Sequence, residues 1–142
     1  MRVKIRAAHP EDAKAISRLI REELNTPVSA SDIAQKLSQL CISPRHRIFA
    51  ADVDNVVVGY LHICDFYSLL CDPMKQILSM AVNPSYRRIG IGSALLARAE
   101  HWAKEAGCIG VRADAFPYSQ EAKAFLFACG YNDDPFQKLF EP

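Results

Sequence analysis

Apolar side chains recur along this chain with two different periods, and the points where the period changes mark out the elements. VKIRAA, near the start, reads as a short strand. His9-Pro10-Glu11-Asp12 follows, with proline in a first helical turn and two acids at the positive end of the helix dipole. Ala13, Ile16, Leu19 and Ile20 then supply the buried stripe of an amphipathic helix. A second helix is predicted over residues 31–40. Ser29 or Ser31 is its cap, Ile33, Leu37 and Leu40 form its apolar face, and Pro27 and Pro44 bracket it.

From Arg47 the period shortens. RIFAADV and VVVGYLHIC are rich in β-branched and aromatic residues, and Asp54-Asn55 between them suits a tight primed turn, so the two predict an antiparallel hairpin. QILSMAV predicts a further strand, ended by Asn83-Pro84. SALLARAEHWAKEAG returns to the helical period, with Leu95, Ala99, Trp102, Ala103 and Ala106 on one face and Gly107 placed to close it. GVRADAF is the next strand, and a strand–helix–strand unit crosses over to make a parallel pair. EAKAFLFACG predicts a last amphipathic helix with Ala122, Phe125 and Leu126 together, and residues 136–140 a last strand. No repeat, low-complexity tract or linker divides residues 1–142, so one domain is expected. The fold class is α/β of the α+β type, with a mixed central sheet of about 6–7 strands flanked by about four helices.

Composition narrows the function. A chain of 142 residues can bury one core. With 50% hydrophobic and 23% charged residues it has the balance of a folded domain rather than a disordered one. Seventeen basic against sixteen acidic residues leave a formal charge of +1, which gives no global field for nucleic acid or an anionic membrane. Arg45-His46-Arg47 and Arg87-Arg88 are too short to change that, so neither partner is expected. MRVKIRAAHPEDA lacks the apolar run of a signal peptide, and a cytoplasmic location is the expectation. Five cysteines without a CxxC pair predict buried free thiols, and four scattered histidines predict no metal site.

The chemistry concentrates between the fourth strand and the long helix, in NPSYRRIGIGS. A turn of this kind, opening a helix, presents backbone N–H groups that lack intrahelical partners, which makes an anion site. Gly90 and Gly92 permit unusual backbone angles and close approach of phosphate, and Arg87 and Arg88 add guanidinium charge beside them. The dinucleotide pattern GxGxxG is a rival, since Asp114 lies downstream at the end of a strand. Leu95 stands where its third glycine is required, and that excludes it.

Arg87-Arg88-Ile89-Gly90-Ile91-Gly92 resembles the R/Q-x-x-G-x-G/A signature of the GNAT family of N-acetyltransferases. Val82-Asn83-Pro84 resembles the family's strand end, and Ala122 through Tyr131 resembles its C-terminal motif. The resemblance implies that acetyl-CoA is the cosubstrate, with no metal, and that a parallel strand pair splays to admit it. By the same likeness, Arg87, Arg88, Ile89, Gly90, Ile91, Gly92 and Ser93 hold the pyrophosphate. Met80, Ala81 and Val82 pair with the pantetheine arm. The implied reaction moves an acetyl group to a primary amine, of a small molecule or a peptide, by direct attack on the thioester. A homodimer is the implied assembly, with the FQKLF segment extending a sheet between subunits.

Three positions depart from the family pattern. Leu126 replaces the tyrosine that protonates the leaving thiolate, Ser119 stands at a frequent asparagine, and Gln76 falls where an acid is often found. A thiol of pKa near 8.5 leaves at pH 7 with only about 2 kcal/mol of help from an acid, whereas neutralising a lysine-like amine costs roughly 4–5 kcal/mol. Tyr118 and Ser119, in the loop before the last helix, are candidates for the missing hydroxyl, and Asp65 is a candidate base. The acceptor is expected between residues 24–47 and 65–75. A CoA-binding sensor without chemistry is the alternative that Leu126 and Gln76 motivate.

Overall fold

Asp54 and Asn55 both take left-handed backbone angles, φ 51° and 71°, and join the strands on either side in a two-residue turn. Around this hairpin the computed structural model, which describes residues 1–141, arranges six strands. They are β1 (Val3–Ala7), β2 (His46–Val53), β3 (Val56–Phe66), β4 (Met74–Val82), β5 (Gly110–Arg112) and β6 (Gln137–Leu139). Their order in the sheet is their order in the chain. Every neighbouring pair is antiparallel except β4–β5, which is parallel because α3 crosses between them.

The helices are α1 (Ala13–Glu23), α2 (Ala30–Leu40), α3 (Ile91–Glu105) and α4 (Gln120–Ala128). Successive strand residues face opposite sides, so the sheet feeds two cores. Ile48, Ala50, Tyr60 and Ala81 pack with Ile16, Leu19, Ile33 and Leu37 of α1 and α2. Phe49, Leu61, Ile63 and Ile77 pack with Leu95, Ala99 and Leu126 of α3 and α4. Pro10–Asp12 forms a single 3-10 turn ahead of α1, and the Asp12 carboxylate accepts from the His9 N–H at 2.8 Å while pairing with Arg6 at 2.8 Å. Ser29, not Ser31, caps α2, accepting from the Asp32 N–H.

Several expectations are corrected. β5 stops at Arg112 instead of running to Phe116, because β4 offers it partners only at Lys75 and Gln76. α3 starts at Ile91, two residues before Ser93. None of the cysteines is buried: Cys41 and Cys71 are exposed and Cys64, Cys108 and Cys129 half-buried. Phe136 and Phe140 of the C-terminal segment lie against the α3–α4 core, and β6 pairs with β5 as the last strand of the sheet. Buried Glu100 on α3 accepts from the Tyr131 hydroxyl at 2.9 Å and the Lys138 ammonium at 3.0 Å, tying this end down. No helix among the described residues is long and apolar enough to cross a membrane, and among them no His/Cys/Asp/Glu cluster could hold a metal ion.

Candidate active site

Only Lys75↔Val111 and Gln76↔Arg112 join β4 to β5. Beyond Gln76 the two strands part, and the β4 backbone from residue 77 to 82 has β3 on one side and no strand on the other. Such an edge leaves alternate N–H and C=O groups free to pair with an extended ligand. A register shift opposite His62 and Ile63, between Ile77 and Ser79 on β4, bends this strand at the start of the opening.

The glycine turn stands at the far end of that edge. Asn83 caps a 3-10 turn over Pro84–Tyr86, accepting from the Ser85 N–H. The chain then reverses through two left-handed residues, Arg88 at φ 66° and Gly90 at φ 87°, and enters α3. The sequence predicts unusual angles at both glycines. Gly90 has one, whereas Gly92 is helical and closely packed: a Cβ there would lie 3.2 Å from the Phe125 ring, which would have to shift by a few tenths of an ångström. Arg88, a residue with a full side chain, supplies the second left-handed angle. The first amides of α3 lack intrahelical acceptors by position, and no acid occupies that first turn, so the helix end attracts anions.

Strand edge and turn open into one cavity of about 510 Å³. Met80, Ala81, Val82, Arg87, Arg88, Gly90, Ile91, Gly92, Ser93, Tyr118 and Ser119 all line it. The fold thus brings together almost every residue named from the sequence. Ile89 is absent from the lining and its side chain faces outward, 46% exposed. Asp65 is elsewhere: it pairs with the buried Lys75 ammonium at 2.6 Å and accepts from the Tyr67 hydroxyl at 3.0 Å. Although burial opposes its charge, these partners hold its carboxyl below the usual range, so it is a poor base. Residues 65–75, expected beside the acceptor, close the β3–β4 hairpin at the opposite end of β4 and do not line the cavity.

The two hydroxyls before α4 differ. Ser119 caps that helix, its side chain accepting from the Ala122 N–H. Tyr118 is 7% exposed, and its hydroxyl is buried without a hydrogen-bond partner among the described residues. Burial first, then the nearby Tyr60 phenol and Asp114 carboxylate, raise its pKa, so it stays protonated at working pH. Tyr60 is itself 2.7 Å from Ser79 on the β4 edge.

Two acids not singled out from the sequence as part of the site stand at or beside it, Glu23 in the cavity lining and Asp114 outside that lining. Asp114 follows β5 where the strands part, accepts from Gln76 Nε2 at 3.0 Å and pairs with Arg112. In the sequence its place at the end of a strand bears only on the rival dinucleotide pattern. Glu23, at the end of α1, lines the cavity and lies 3.0 Å from Arg87, and nothing local in the sequence connects the two.

Comparisons with known proteins agree with this geometry. An aminoglycoside N(6')-acetyltransferase type 1 of Stenotrophomonas maltophilia is 28% identical over 134 residues, covering 91% of this chain and 86% of the relative. The crystal structure of the aminoglycoside 6'-N-acetyltransferase AAC(6')-Ih of Acinetobacter baumannii has the same fold, with a TM-score of 0.81 at 22% identity over 99% of this chain and 98% of that one. That of AAC(6')-Iy with the bisubstrate analog CoA-S-monomethyl-acetylneamine gives 0.79 at 20% identity, over 100% and 98% of the two chains. The model of the acetyltransferase (GNAT) family matches residues 13–131, from the start of α1 past the end of α4, and the chain belongs to that family.

Proposed function

We propose that the chain transfers the acetyl group of acetyl-CoA to a primary amine of a small polycationic molecule of the aminoglycoside kind. The observation that carries this reading is the unpaired β4 edge leading into the glycine turn within one cavity. Arg87, Arg88 and the amides of residues 90–93 suit a pyrophosphate. The edge at Met80, Ala81 and Val82 suits the amides of pantetheine, taken up as an added strand.

In the reaction the neutral amine nitrogen attacks the thioester carbonyl carbon, the oxyanion collapses, and the carbon–sulfur bond breaks. The nitrogen loses one proton and the sulfur gains one. Tyr118, protonated and without a competing partner, donates a hydrogen bond toward the departing sulfur. Asp114, its side chain 37% exposed at the point where β4 and β5 part, attracts the ammonium form of the acceptor. Neutralising that ammonium needs no strong base when the acceptor is a polycation, because neighbouring like charges lower each amine's pKa. Curated and structural relatives that carry the aminoglycoside name support the acceptor class.

The test is CoA release from acetyl-CoA with a panel of polyamino sugars, linear polyamines, lysine peptides and simple monoamines. Release above hydrolysis is expected with the polyamino sugars, and Asp114→Asn should raise their KM by roughly tenfold, the size of a lost charge-assisted contact, with the acetyl-CoA KM unchanged. Acetyl-CoA binding without release for any amine would refute the transferase reading and leave a CoA sensor.

A further inference from the structure

The Arg87 guanidinium is already engaged. Its Nη2 lies 3.0 Å from Glu23 Oε1 and its Nη1 3.7 Å from Glu121 Oε2. Glu23 belongs to the last turn of α1, Arg87 follows the 3-10 turn after β4, and Glu121 is in the first turn of α4, so the three side chains bridge three separate elements. All three line the same cavity.

Glu23 accepts a hydrogen bond from one terminal nitrogen of the guanidinium and Glu121 faces the other at ion-pair distance, and these two nitrogens are the pair that forms a fork with phosphate. A carboxylate that merely steadied the arginine for a ligand would leave that fork open. The partners also differ in exposure: the Glu121 side chain is 75% exposed, the Glu23 side chain only 17%. An exposed pair is worth little and yields readily, whereas the sheltered one is screened less and competes in earnest. Arg88, the neighbouring cation, has no ion pair among the described residues and is available to an incoming phosphate at once.

We propose that Glu23 stands in the place of a cofactor phosphate on Arg87, so that α1 and the acyl donor compete for one guanidinium and Glu23 limits donor affinity. Binding of the pyrophosphate exchanges one anion for another on Arg87 and frees the end of α1. This inference rests on the donor site assigned above.

Calorimetric titration of CoA at fixed salt into the wild type, Glu23→Gln, Arg87→Ala and the double variant tests it as a double-mutant cycle. Glu23→Gln should tighten CoA binding by roughly three- to tenfold, the range of a partly sheltered charge pair, and the gain should vanish in the Arg87→Ala background. Glu22→Gln removes a like charge one residue away, on a side chain that pairs with Arg18. It should change affinity by less than about twofold, which sets the scale of the general field. Weaker or unchanged binding in Glu23→Gln would overturn the proposal, as would an equal gain with and without Arg87. A wild type that does not bind CoA would instead overturn the donor site itself, and the inference with it.

Discussion

Replacing Tyr118 by phenylalanine should make the protein more stable and less active at once. The ring packs edge-on against Phe116 and Phe136, with centroids 5.3 and 5.7 Å away, and phenylalanine keeps those contacts. What the substitution removes is one hydroxyl that is buried without a partner. Leaving such a group unsatisfied costs about 1–3 kcal/mol, so its removal should stabilise the fold by up to that amount. For a domain of this size that corresponds to roughly 3–10 °C in melting temperature. The same hydroxyl is the proposed donor to the leaving sulfur. A hydrogen bond to a charged group is worth about 1.5–3 kcal/mol, which predicts a fall in kcat of roughly 10- to 150-fold. Calorimetry on the free protein and thiol release at saturating acetyl-CoA measure the two effects separately. A lower melting temperature together with kcat within about threefold of wild type would show that Tyr118 is an ordinary packing residue and refute both effects.

Other substitutions separate the parts of the site. Gly90→Ala meets no atom within 4 Å, so its cost is that of the left-handed backbone alone, about 1–2 kcal/mol, and denaturant unfolding should show that loss beside weaker CoA binding. Ser119→Ala should cost about 1 kcal/mol of stability through the lost cap and leave kcat within about threefold, and a larger fall would place Ser119 in the chemistry. His62 is pushed down to about 4, chiefly by burial and then by His46, whose Nδ1 lies 2.9 Å from His62 Nε2. The unfolded chain takes up this proton below about pH 6.5 and the folded chain resists it, so stability is full above that pH. It should fall by up to about 3 kcal/mol as the pH drops toward 4. Urea midpoints across that window should decline less steeply in His62→Gln, and an identical slope would remove His62 as the cause.

The elements and the corner were legible because their signals are local. The β-branched and aromatic residues of RIFAADV and VVVGYLHIC, the Asp54-Asn55 turn and the periodic face of α3 each fix backbone angles over a few residues. Arg87 to Ser93 carries its chemistry in consecutive amides, so its meaning survives without knowledge of the rest. The length of β5 was not legible, since GVRADAF has strand composition throughout. Its end at Arg112 is decided by where β4 ceases to offer partners. The packing of Gly92 escaped for a similar reason: the Phe125 ring that would crowd a side chain there comes from another helix.

What the sequence by itself determined is the donor corner and the order of strands and helices, because both follow from short-range periodicity and turn chemistry. What only the tertiary structure decided is the company each charge keeps. Asp65 is tied to Lys75 and removed from consideration, Asp114 is brought to the opening between β4 and β5, and Glu23 crosses 64 residues of chain to reach Arg87. The tyrosine missing at Leu126 belongs to the same lesson, for Leu126 is wholly buried while Tyr118, outside the helix, lines the cavity and carries a buried, unpaired hydroxyl. Electrostatic partners act through space over a few ångströms, and the chain path that brings them together is set by packing of the two cores against the sheet.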